Sequence, residues 1–107
     1  MELSQYYIVL VNLDPTLGSE IKKTRPCVII SPDEMNRFLR TIVIAPMTSQ
    51  SKDYPTRVRV KHNNKEGWVV LDQIRTIDKQ RIVKIFDKLS EKEIEKVKLI
   101  IKETFVD

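Results

Sequence analysis

The segment YYIVLVNL, Tyr6 to Leu13, decides the fold class. β-Branched and aromatic residues dominate it, and its near-continuous apolarity is that of a strand buried on both faces. The eleven residues that follow, DPTLGSEIKKT from Asp14 to Thr24, form a loop punctuated by Pro15 and by Gly18, one of only two glycines in the chain. RPCVIIS, Arg25 to Ser31, reads as a second strand, with Pro26 tolerated at its start. Two apolar strands joined by a polar, partly cationic loop imply a β-rich core.

Working outward, SPDEMNR predicts a short helical turn in which Ser31 caps, Pro32 takes the first position and Glu34 completes a capping box. TIVIAPMTS, Thr41 to Ser49, predicts a third strand ending near Pro46. TRVRV alternates, with Val58 and Val60 on one face and Arg57 and Arg59 on the other. The Asn63-Asn64 pair in KHNNKEG suits a hairpin turn. WVVLDQIRTI, Trp68 to Ile77, reads as the longest strand, and RIVKIFDKL as another. The C-terminus predicts a helix: Ser90 caps it, Glu93 completes a capping box, and Leu89 and Ile94 form a hydrophobic staple. Ile94, Val97, Ile100, Ile101 and Phe105 share one helical face that should dock on a sheet. Five or more strands with one docked helix suggest a mainly β fold, a small, strongly curved antiparallel sheet or partly open barrel.

The 107 residues suit a single domain, 1–107, and an apolar share of 41% supplies a core. A net charge of +4 and a pI near 9.3 tilt toward anionic partners such as nucleic acid. No apolar run has membrane-spanning length, and MELSQYY lacks the basic head and apolar stretch of a signal peptide. Cys27, the single cysteine, allows no internal disulfide and reads as a core residue, which fits a reducing cytoplasm. One histidine, His62, leaves little material for Cys/His zinc sites or Ser-His-Asp triads, and it sits in a polar turn with no assigned role. No Walker loop or dinucleotide fingerprint is present. What remains for chemistry is a set of polar residues that follow or interrupt apolar sequence: Glu20, Arg25, Thr48, Gln50, Asp72, Gln73 and Arg75.

Four motifs, NLDPTLGSE, TRPCVIIS, APMTSQSKDYPTRV and LDQIRTIDKQRI, stand in an order and spacing that resembles the MazF/PemK-type toxins over nearly the whole chain. The resemblance implies an SH3-like barrel of about seven strands, a C-terminal helix and a homodimer. It implies a cytoplasmic type II toxin–antitoxin endoribonuclease that cuts single-stranded mRNA at short sequences without a metal or other cofactor, inhibiting translation and growth. A cognate antitoxin normally blocks the RNA-binding surface. Without a metal, RNA is most easily cut by its own 2′-OH, giving a 2′,3′-cyclic phosphate and a 5′-OH. That route needs a base, donors for the charge developing on phosphorus and a proton for the leaving oxygen.

On this resemblance Arg25 is catalytic. Its planar fork suits a phosphate, where it would stabilise the phosphorane, with proton donation as an open second role, and Pro26 holds its backbone extended. Thr48 places a hydroxyl against the scissile phosphate. Glu20 and Asp72 compete as the base. Some members of the family pair this aspartate with an arginine two residues earlier and a histidine in the first loop, but here Val70 and Ser19 stand at those places. Asp72 is alternatively a structural ion-pair partner of Arg25 or Arg75. RNA contacts are expected from Ser19, Lys22, Lys23, Ser49, Gln50, Gln73 and Arg75, whereas Arg57 and Arg59 read slightly better as a solvated strand face and Trp68 as core or interface. Two rivals remain: a toxin of the same fold that inhibits DNA gyrase by binding, and a silent SH3-like adaptor for a protein partner.

Overall fold

The computed structural model describes residues 2–13, 24–50 and 54–106. Among these, seven strands form one curled antiparallel sheet: β1 (Tyr7–Asn12), β2 (Thr24–Ile29), β3 (Thr41–Thr48), β4 (Arg57–His62), β5 (Lys65–Val70), β6 (Arg75–Asp78) and β7 (Ile82–Lys88). Their order is β4-β5-β3-β2-β1-β7, with β6 also paired to β3. A short helix α1 (Asp33–Phe38) links β2 to β3, and α2 (Glu91–Ile101) follows β7.

The curl follows from how the strands share residues. β3 pairs with β6 along Thr41–Ile44 and with β5 only at Met47 and Thr48. A single straight strand from Trp68 to Ile77 cannot satisfy both pairings. The chain therefore breaks after Val70 into a 3₁₀ turn, Leu71–Gln73, and resumes as β6. The long strand expected from WVVLDQIRTI is thus two strands, because the apolar run reports burial and not continuity of pairing. Register shifts between β1 and β7 bend the opposite side of the sheet.

Both faces of the curled sheet are buried, as the apolar runs of β1 and β2 require. Ile8, Val28, Ala45, Met47, Val58, Val60, Val69 and Leu71 pack inside with Ile94 and Val97 of α2. Val9, Val11, Cys27, Ile29, Ile42, Ile44 and Ile77 pack on the other face. β3 does not end at Pro46: the buried strand runs on to Thr48. Asn63 and Asn64 have φ of 52° and 62°, so both centres of the β4–β5 turn are left-handed, which asparagine tolerates.

The first helix is capped differently from expectation. Pro32 occupies the cap position and offers no side-chain hydrogen bond. The Ser31 hydroxyl instead donates to Asn36 Oδ1 and accepts from the Val43 N–H, while Asn36 donates to the Leu3 and Ser31 carbonyls. This buried polar knot ties α1 to β3 and to the N-terminal segment, with every hydrogen bond satisfied locally.

The second helix follows the sequence closely. Ser90 accepts from the Glu93 N–H and Glu93 accepts from the Ser90 N–H, a complete capping box. Ile94 and Val97 are buried, and Ile100 and Ile101 partly so. Phe105 departs from the expected face: it lies in the final turn, Lys102–Val106, and is 58% exposed. A wider, π-type turn rotates it off the 3.6-residue stripe.

Glu93 has a second task. Its Oε2 accepts the backbone N–H of Lys61 on β4 at 2.7 Å, while its Oε1 accepts Ser90 N–H at 2.9 Å. One carboxylate therefore caps α2 and clamps it to an edge strand. Ser90→Ala should cost about 1 kcal/mol. Glu93→Ala should cost more, about 2 kcal/mol, because it frees both N–H groups. Urea denaturation of the two variants checks the ranking.

Candidate nucleic-acid interface and active site

The antiparallel register that pairs Cys27 with Pro46 and Val28 with Ala45 sets Arg25 opposite Thr48 when continued along β2 and β3. Both residues are half-buried and line one groove of about 380 Å³. Its floor is Pro26, Met47 and Gly67, and its walls carry Ser49, His62, Asn63, Lys65 and Glu66. Arg25 and Thr48, twenty-three positions apart in the sequence, thus line one groove just past the last residues paired between β2 and β3.

Arg25 is held by its own scaffold. Its Nη1 donates to the Met47 carbonyl at 3.0 Å, which points the guanidinium across β3. Its Nε is buried and has no hydrogen-bond partner among the described residues. A buried cationic N–H without an acceptor is costly, and an anionic oxygen is its natural complement. Thr48 Oγ1 accepts the Gln50 N–H at 3.2 Å and donates to the Gln50 carbonyl at 3.3 Å. This hydroxyl turn fixes the side chain at the groove rim. Ser49 and Gln50 are exposed beside it.

Gly67 lets β5 pass close to the end of β3. A Cβ built there would lie 3.1 Å from the Thr48 carbonyl oxygen, in a backbone that pairs with β5 at Trp68. Cys27 sits behind Arg25, and burial pushes its thiol up to about 12, with only partial relief from the charges of Arg25 and Arg75. It is an inert core residue. Arg75, half-buried on β6, stands opposite Ile44, which packs in the same cluster as Cys27, but it does not line the groove.

Asp72 is engaged elsewhere. Its Oδ1 accepts the Thr56 hydroxyl at 2.9 Å and Arg57 Nε at 3.3 Å, and its Oδ2 accepts Arg57 Nη2 at 3.5 Å. Partial desolvation would raise this carboxyl, but the Arg57 and Thr56 hydrogen bonds outweigh it and hold it below the usual carboxylate range. The structural ion pair foreseen for Asp72 therefore exists, with Arg57 as partner in place of Arg25 or Arg75. Arg57 is correspondingly not a free solvated cation: it also stacks over Tyr54 at 4.9 Å. Arg59 is exposed and lies over the Trp68 ring at 5.4 Å. Gln73 is half-buried in the 3₁₀ turn and does not line the groove. Ser19, Glu20, Lys22 and Lys23 fall outside the described residues.

Sequence reading passed over the groove residues of the β4–β5 hairpin, His62, Asn63, Lys65, Glu66 and Gly67, and of these His62 is the one with acid–base chemistry. The signal was present in the parity of β4: Val58 and Val60 point inward, and His62 continues that face. The adjoining asparagines made it read as part of a solvated turn. Among the described residues no group of three or more His, Cys, Asp or Glu side chains is placed to hold a metal, and no helix is long and apolar enough to cross a membrane.

A curled β half-barrel with a C-terminal helix and an arginine–hydroxyl groove defines the class. The family follows from comparison with known proteins. Residues 4–105 match the PemK-like, MazF-like toxin of type II toxin–antitoxin systems, and the chain belongs to that family. The chain is 33% identical over 96 residues to Endoribonuclease MazF of Staphylococcus saprophyticus, covering 84% of this chain and 80% of that protein. It is equally identical, again over 96 residues, to Endoribonuclease EndoA of Bacillus subtilis, covering 84% and 83%. The fold matches the crystal structure of MazF from Deinococcus radiodurans with a TM-score of 0.86 at 22% identity, over 100% of this chain and 99% of that one. It also matches a mycobacterial endoribonuclease solved with its cognate antitoxin, TM-score 0.82 at 17% identity, over 97% and 95% of the two chains.

Two outcomes follow. Gly67→Ala should destabilise the fold by about 1 kcal/mol, because β3 must give way by a few tenths of an ångström. The thermal midpoint reads this cost. For Asp72, a folded pKa below the unfolded value near 3.9 contributes stability that is complete above that value and lost as pH falls through the folded pKa. Asp72→Asn should therefore cost about 1 kcal/mol at neutral pH, and the gap to wild type should close below about pH 4. Denaturant titrations across pH check the trend.

Proposed function

We propose that the chain is a sequence-selective, metal-independent endoribonuclease toxin that cuts single-stranded RNA by attack of its own 2′-OH. The observation that carries this reading is the Arg25–Thr48 pair, set opposite each other by strand register in a groove of a chain that belongs to the MazF-like family. The relatives named endoribonucleases, at 33% identity over most of the chain, support the reaction class.

In this reading Arg25 receives the scissile phosphate. A guanidinium offers N–H donors and no acceptor, so its work is to stabilise the charge that develops on the phosphorane. Anchorage on Met47 holds the fork in place before substrate arrives, which lowers the cost of ordering it during the reaction. The Thr48 hydroxyl exchanges its Gln50 carbonyl for a phosphate oxygen. Ser49, Gln50 and the cations Lys22 and Lys23 contact the strand. The 2′-OH proton passes to Glu20, since Asp72 is occupied by Arg57 and Thr56. Asp72, Gln73 and Arg75 then act behind the groove, as supports of the turn and of β6. The products carry 2′,3′-cyclic phosphate and 5′-OH ends, and loss of mRNA arrests translation and growth.

The toxin is proposed to act in the cytoplasm as a homodimer, with a cognate antitoxin covering the groove. Solved complexes of fold relatives with their antitoxins support a partner of that kind.

Arg25→Ala should lower the cleavage rate by about 100-fold or more, and Thr48→Ala by about tenfold, with both variants folded by circular dichroism. Wild-type cleavage of a long RNA should persist in EDTA, with 5′-end sequencing revealing a short recurrent site. Folded Arg25→Ala cutting at the wild-type rate, or a strict magnesium requirement, would overturn the mechanism. Inhibition of gyrase with no RNA cleavage would replace the reading altogether.

A further inference from the structure

His62 ends β4, with Lys65 opposite it across the two-asparagine turn. Its ring packs against Phe86 of β7 at 4.9 Å, tilted by 59°. Its Nε2 lies 3.5 Å from the Asn63 side-chain amide. From this position the imidazole lines two hollows: the groove that holds Arg25 and Thr48, and a second of about 410 Å³ behind it. The charged groups facing it from the groove are Arg25, Lys65 and Glu66. From the second hollow they are Lys61 on its own strand, Asp87 and Lys88 of β7, and Glu93 of α2. Cations and carboxylates thus surround the ring in mixture.

Cutting RNA through the 2′-OH moves two protons. The 2′ oxygen loses one as it bonds phosphorus, and the 5′ oxygen gains one as its bond to phosphorus breaks. The second transfer is the harder to do without, because an alkoxide is a poor leaving group. In the reading above Arg25, anchored on the Met47 carbonyl, stabilises the charge on phosphorus, and Asp72 is held by Arg57 and Thr56. Histidine is the side-chain type whose ordinary charge change falls between about pH 5 and 8. Among the described residues of the groove, His62 alone is of that type.

We propose that His62 is the general acid of RNA cleavage, its imidazolium protonating the departing 5′ oxygen. This rests on the ribonuclease reading above. In the step, the 2′-O–P bond forms, the P–O5′ bond breaks, the 2′ proton goes to the base of the reading above, and the proton lost by His62 is regained from solvent. No oxidant or cofactor is consumed. The tilted contact with Phe86 and the left-handed asparagine turn fix the ring from behind, so the β4–β5 hairpin serves as a wall of the active site.

The test uses the full-length protein, an RNA oligonucleotide carrying the mapped cleavage site, and the same oligonucleotide with sulfur replacing the bridging 5′ oxygen. A thiolate leaves without prior protonation. His62→Gln should slow single-turnover cleavage of the oxygen substrate by about 100-fold, yet cut the sulfur substrate within about threefold of wild type. In the wild type, cleavage of the oxygen substrate should fall at alkaline pH as the imidazolium is lost, and cleavage of the sulfur substrate should lack that fall. Equal cleavage of the oxygen substrate by variant and wild type overturns the proposal, as does an equal loss on both substrates. If His62→Gln does not fold, the two wild-type pH profiles decide, and identical profiles overturn it. A wild type that cuts neither substrate removes the ribonuclease reading and this inference together, whereas a wild type that cuts both with no role for His62 removes only the inference.

Discussion

β3 is the constraint on which the remainder depends. One edge pairs with β2 from Ile44 to Pro46, and the other is divided between β6 at its start and β5 at its end. No flat sheet can accommodate a strand with three partners arranged in this way. The sheet must curl, the chain must turn between Val70 and Arg75, and the end of β3 must project beyond the β6 pairing. Thr48 stands at that projecting end, and Arg25 reaches it from the start of β2.

The same geometry explains why the groove is polar in a domain whose sheet is otherwise buried on both faces. Inward and outward residues of β1 and β2 feed two apolar clusters, so little strand surface remains for chemistry. The polar side chains that line the groove come from strand ends: the start of β2, the end of β3 and the β4–β5 hairpin. Arg25 is stabilised there by the Met47 carbonyl, and Gly67 lets β5 approach the Thr48 backbone closely enough to close the floor. Asp72 shows the opposite division: an exposed carboxylate that pairs with Arg57, accepts the Thr56 hydroxyl and secures the turn between β5 and β6.

Much of this was legible in the amino-acid order. Runs of β-branched residues located the strands, the Asn63-Asn64 pair located a hairpin, and Ser90 with Glu93 located the start of α2, because each of these signals is carried by near neighbours in the chain. Misreadings arose where a local pattern was overruled by pairing or packing. WVVLDQIRTI is apolar throughout, yet it changes partner in the middle. Ser31 has the form of a helix cap, yet its hydroxyl is taken by Asn36 and Val43. Phe105 fits the helical stripe, yet the final turn widens.

The sequence by itself determined the class of fold, the composition of the core, and the family to which its four motifs belong. It also named Arg25 and Thr48, since both lie within motifs. Only the tertiary structure decided which charged groups meet. Arg57 and not Arg25 or Arg75 binds Asp72, Arg25 leans on Met47, and His62 joins the groove from a turn that reads as solvated. The physical reason is that ion pairs and grooves are made across strands. Register and curl place those strands together, and neither is written in the spacing of residues along one of them.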